Sequence, residues 1–188
     1  MSDARDNDEA EPIASASPVG QLRRAITGLN QRALRFTRPG SCWLLASVKL
    51  GFVIKAAAVL VALAEAFVRG TLDQNTPDRI SSILLFAIAG VVIAPVLETL
   101  VIMLVHVLTR RWLGLAGFVA ANTLLAYALH GPPYTGYSAG AAAAFLIMSY
   151  QYESFRERLG TSRAFAGVGV CHAVSNGIAV LFRAIFPN

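Results

Sequence analysis

Charge is scarce in this chain. Only 14% of its 188 residues are charged, against about 25% in an ordinary soluble domain. Hydrophobic residues reach 55% and the mean hydropathy is +0.56, which excludes a typical water-soluble domain and points to lipid as part of the solvent. Cysteine is scarce too. Cys42 and Cys171 fall in or beside apolar runs and belong to no C-x-x-C pair, so there is no disulfide framework. Cys171 adjoins His172, but neighbours on a helix point about 100° apart and cannot face each other as nucleophile and base. No G-x-S-x-G, Walker loop or H-E-x-x-H occurs, which removes the commonest hydrolase, nucleotide and zinc-protease signatures. A basic stripe with interleaved aromatics is missing as well, so the net charge of +5 is no sign of a nucleic-acid partner. The first residues, "MSDARDNDEAEPIASASPVG", lack the basic start and apolar centre of a signal peptide.

What is present is apolar length. A spanning helix needs about 20 apolar residues, and five stretches approach that scale: 42–67, 80–108, 112–131, 136–151 and 164–186. The fold class expected is therefore all-α, a polytopic transmembrane helix bundle of about five spans. Residues 1–20 read as a disordered acidic tail. Residues 21–40 read as a basic amphipathic juxtamembrane segment, and 41–188 as the transmembrane domain. In the juxtamembrane segment Leu22, Ile26, Leu29, Ala33 and Phe36 recur at helical spacing, while Arg23, Arg24, Arg32 and Arg35 fall mostly elsewhere around the wheel. That pattern suits a helix lying on an anionic membrane face; a flexible basic linker is the alternative. With the N-terminus cytoplasmic, segments 1–41, 109–112 and 152–163 hold eleven of the sixteen basic residues, as the positive-inside rule requires. The localisation expected is an inner or plasma membrane of bacterial type, with the lipid bilayer as a partner.

The polar residues inside these spans are few. Glu98 is the only formally charged residue from Ile80 to Val105, and a charge at the bilayer centre costs about 2.5–3.5 kcal/mol on insertion scales. His172 and Asn176 lie four apart, on one helix face. Gly169, Ala173 and Gly177 form an adjacent small-residue row that would let a neighbouring helix approach. His130 follows in "AYALH". His106 lies near the face of Glu98 and is an alternative partner for it. Glu65 and Arg69 have the spacing of a local ion pair, and Lys49 and Lys55 would snorkel or face the bundle.

These residues carry a resemblance. "APVLETLVIM", "AYALH" and "HAVSN" resemble the three motifs of the CPBP/ABI family, intramembrane proteases of the CAAX-prenyl-protease and bacteriocin-immunity type, over roughly residues 80–182. The family's second glutamate is Thr99 here, its arginine is Met103 and its phenylalanine is Ala126. The resemblance implies a four-helix catalytic core with Glu98, His130, His172 and Asn176 as catalytic residues. Glu98 would be the general base for water, and His130 would orient that water or bind a metal. His172 and the Asn176 amide would stabilise the oxyanion. A divalent metal such as zinc, held by Glu98, His130 and His172, stays open as a cofactor. The substrate implied is a membrane-associated protein or peptide. Replacement of the glutamate and arginine leaves a second reading, an inactive membrane scaffold for immunity, regulation or partner binding. The four groups share one depth only if "WLGLAG" is interfacial and the third span starts near Gly117.

Overall fold

The computed structural model describes residues 17–69, 87–130 and 138–185, with the side chains of 65–69 and of Arg183 left aside. Every element among them is helical: α1 (Pro18–Phe36), α2 (Trp43–Arg69), a π turn (Ile88–Ile93), α3 (Ala94–Leu129), α4 (Ser138–Leu159) and α5 (Thr161–Ile185). The acidic tail up to residue 16 and the Glu65–Arg69 ion pair lie outside the described residues. Among the described residues three stretches are long and apolar enough to cross a membrane, Trp43–Ala64, Ile88–Leu129 and Thr161–Phe182. The chain is an all-α integral membrane bundle.

The 42-residue stretch Ile88–Leu129 is not one rod. At Gly114 the backbone takes φ 67° and ψ −170°, a conformation glycine reaches without a Cβ clash. The helix reverses there. His106, eight residues before Gly114, packs its ring 5.0 Å from that of Phe118, four residues after it. Glu98 and His130, sixteen residues either side of the turn, interact electrostatically, whereas a straight helix would hold them about 48 Å apart. This reversal falls within "WLGLAG" and brings the two arms alongside each other.

Register follows from a few contacts. Ser47 lies beside Gly167, and Gly51 beside Cys171 and Val174, so α2 and α5 run parallel. Gln151 Nε2 donates to Ser47 Oγ over 3.4 Å, while Gly140 faces the Ala58 carbonyl, so α4 runs antiparallel to both. Close approach is concentrated at these glycines. A Cβ added at Gly51 would meet the Cys171 carbonyl at 2.7 Å, and one at Gly140 the Ala58 carbonyl at 2.8 Å. The expected row of Gly169, Ala173 and Gly177 is looser. A Cβ added at Gly169 would come no nearer than 3.9 Å to Thr99 Oγ1, and one at Gly177 would meet nothing within 4 Å.

Two segment boundaries differ from expectation. α4 continues to Leu159, and α5 starts at Thr161 after the single residue Gly160, whose φ of 83° closes the helix end. Residues 152–163 are therefore not a free cytoplasmic segment, since Tyr152, Glu153, Ser154 and Phe155 are buried. The second difference concerns α1, which is a helix as expected but begins at Pro18, with Ser17 Oγ accepting from the Gly20 N–H. Its second half lies along the later turns of α4. There Tyr150 Oη donates to Asn30 Oδ1 over 2.6 Å and Ser154 Oγ to the Leu34 carbonyl over 3.3 Å.

Candidate functional site

Glu98 sits one turn after the junction between the π turn and α3. Pro95 has no N–H to give the helix ladder, and just before it the Ala94 N–H reaches back five residues to the Ala89 carbonyl. Such π turns interrupt helices frequently at functional sites. Asn176, on α5, donates its Nδ2 to the Gly90 carbonyl within this turn over 2.8 Å. The amide thus ties α5 to the segment that presents the carboxylate.

Glu98 Oε2 lies 3.4 Å from His172 Nε2, with the two side chains 26% and 9% exposed. The contact is of ion-pair length but too long for a strong direct hydrogen bond. The other ring nitrogen of His172, Nδ1, is buried and has no hydrogen-bond partner. His130 ends the second arm of α3. Its Nδ1 stands 3.0 Å from the Ala126 carbonyl, which only accepts, so Nδ1 carries the proton and Nε2 is the basic nitrogen of the neutral ring. His130 is within electrostatic range of both Glu98 and His172. Phe145 of α4 touches both imidazoles, with centroids 6.1 Å from His130 and 6.4 Å from His172.

The structure therefore gathers Glu98, His130 and His172 at one level. It gives Asn176 a tie to the backbone of the π turn as its described bond. Among the described residues no group of three or more His, Cys, Asp or Glu side chains is placed to hold a metal ion, so Glu98, His130 and His172 do not form the ligand set held open above. Thr99, at the position of the family's second glutamate, is fully buried and closes its hydroxyl on the Pro95 carbonyl over 2.6 Å. Lys55 faces the bundle: it is half-buried on α2 and within electrostatic range of His172.

His106 is not the partner of Glu98. Its Nε2 is 2.9 Å from Oε2 of Glu153, a carboxylate with no exposed surface. The same carboxylate takes Arg110 Nε at 2.7 Å and Arg156 Nε at 2.9 Å. Glu153 is not among the candidates the sequence offers, because it falls past the fourth apolar run, 136–151, in the segment 152–163. The signal available was its setting in "SYQYESFR", between aromatics and three residues before an arginine. Glu153 lies beyond the apolar part of α4. Burial opposes its charge, but hydrogen bonds from Arg156 and Arg110 more than offset this and hold the carboxyl at about 2.

Comparison of the chain with protein-family models, with curated proteins and with solved structures finds no match. The reading of function rests on this geometry and on the motif resemblance.

Proposed function

We propose that this chain is an intramembrane endopeptidase of the CPBP/CAAX-protease type, which hydrolyses a peptide bond in a membrane-associated protein. The observation that carries the proposal is the 3.4 Å approach of Glu98 to His172, with His130 on the same level. Glu98 takes a proton from water as that water attacks the scissile carbonyl, and gives it to the leaving amine as the tetrahedral intermediate collapses and the C–N bond breaks. His172, itself nearly buried, supplies positive hydrogen-bond density to the oxyanion, an effect worth about 10²–10³ in rate per donor. His130, with its tautomer set by the Ala126 carbonyl, orients the water. Asn176 acts by holding the π turn, and through it Glu98.

The test uses lipid-anchored, fluorescence-quenched peptides in a bilayer containing the purified protein. Glu98→Gln is expected to lower cleavage by about 10²–10⁴ with an unchanged melting temperature. Cleavage at the wild-type rate by that variant would sink the mechanism. A second reading, a non-catalytic scaffold with the same architecture, is favoured by the closed Thr99–Pro95 hydrogen bond, which leaves no second carboxylate at that position. It predicts that Glu98→Gln preserves the cellular function.

A further inference from the structure

Most residues in the first half of α1 are exposed. Its two hydrogen bonds to α4 come from Asn30 and Leu34, in the second half. Between α1 and the Gly114 turn runs a groove of about 440 Å³, lined mainly by Val19, Leu22, Ile26, Leu113 and Leu115, with Arg23, Thr27 and Asn30 also in its wall and Glu98 not part of it. Leu22 and Ile26 are 61% and 42% exposed there. An apolar groove of this kind at a membrane surface has lipid as its neighbour.

Charge selects among lipids. From Ile13 to Ala64 the chain has no Asp or Glu, while Arg23, Arg24, Arg32, Arg35 and Arg38 fall within that interval. Beyond the groove, Arg111 stacks over Trp112 at 5.4 Å, an exposed pair of the sort that marks the headgroup level. We infer that the groove between α1 and the Gly114 turn binds one acyl chain of an anionic phospholipid, with Arg23 and Arg24 holding its phosphate. The groove has about the volume of a single fatty acyl chain. Arginines act here as donors to phosphate oxygen, and the surrounding positive field excludes zwitterionic lipids only weakly. This site is independent of the hydrolytic reading.

The test uses the full chain with Cys42→Ser, carrying a nitroxide at Leu22→Cys or Ile26→Cys, in phosphatidylcholine bilayers with or without one-third phosphatidylglycerol. Oxygen is expected to relax both labels more than a water-soluble nickel chelate, and more so with phosphatidylglycerol. Native mass spectrometry of the extracted protein is expected to show preferential retention of phosphatidylglycerol, falling about five-fold for each of Arg23→Gln and Arg24→Gln. Dominant nickel access in both bilayers would overturn the proposal, because water would then fill the groove. Equal retention of the two lipids would do the same. So would labels shielded from both reagents regardless of lipid, since a polypeptide, such as residues 1–16, would then be the occupant. Every substitution is on the outer surface, and an unchanged melting temperature checks the fold.

Discussion

Asn176 illustrates how one residue changes meaning between the sequence and the folded chain. As the last member of "HAVSN" it reads, through the family resemblance, as an oxyanion donor. In the bundle its Nδ2 donates to the Gly90 carbonyl, so its contribution passes through the backbone of the π turn. Interhelical hydrogen bonds of this kind average about 0.6 kcal/mol and reach about 1.7. Asn176→Ala is expected to destabilise the bundle by about that much, measured by thermal melting in detergent. The expected kinetic signature is a lower kcat with little change in KM. A rate loss as severe as that of Glu98→Gln would instead return Asn176 to direct contact with the reacting atoms. The approach of His130 and His172 to Glu98 was legible from motif order and spacing. The true partner of His106 was not, because Glu153 lies 47 residues away and no local pattern links them.

Among the elements, the reversal within α3 positions most of the site. The hydropathy of residues 88–129 announces length, but only the positive φ at Gly114 turns that length into two antiparallel arms and brings His130 back to Glu98. A Cβ branch there costs about 1–3 kcal/mol of backbone strain. Gly114→Val is expected to lower stability by that amount and to weaken the proposed hydrolysis by displacing His130, and Gly114→Asn should cost about as much, because φ 67° with ψ −170° lies outside the left-handed helical region that asparagine tolerates. The contacts of α2 with its neighbours make a second contrast. Gly51→Ala and Gly140→Ala each force a Cβ against a backbone carbonyl, which cannot swing aside, so both should lower the melting temperature clearly. Gly177→Ala meets open space and should be silent, or slightly stabilising through helix propensity.

For the whole molecule, Glu153 joins the two ends of the chain's long excursion: His106 and Arg110 from α3 and Arg156 from α4 all meet on one buried carboxylate. Removing one member of a buried pair costs about 3–5 kcal/mol. Both arginines are about a third exposed and can turn to water, so Glu153→Gln is expected near the lower end of that range. The pH dependence has a definite sign. The folded carboxyl, held at about 2 against an ordinary 4.5, contributes stability that is complete above the unfolded value and is lost as pH falls toward the folded one. The melting-temperature gap between wild type and Glu153→Gln should therefore stay constant from neutrality to about pH 5 and narrow on further acidification. A gap that widened in acid would contradict the assignment of the cluster.

The sequence alone determined the solvent, the class and the short list. Apolar runs of spanning length require helices, because lipid offers no partner to an open backbone, and rare polar residues within them stand out as Glu98, His130, His172 and Asn176. It also determined that residues 21–36 form a basic amphipathic helix, since that pattern is local. Tertiary structure decided which of these groups meet. Glu98 and His172 come together because the first arm of α3 runs antiparallel to α5. His106 is drawn to Glu153 because that arm runs alongside α4. The groove beside α1 exists because tertiary packing sets the helix next to the Gly114 turn, with described hydrogen bonds to α4 at Asn30 and Leu34. Periodicity reports which face of a helix is apolar, but pairing depends on where a chain reverses, and here that rests on the backbone angle of one glycine.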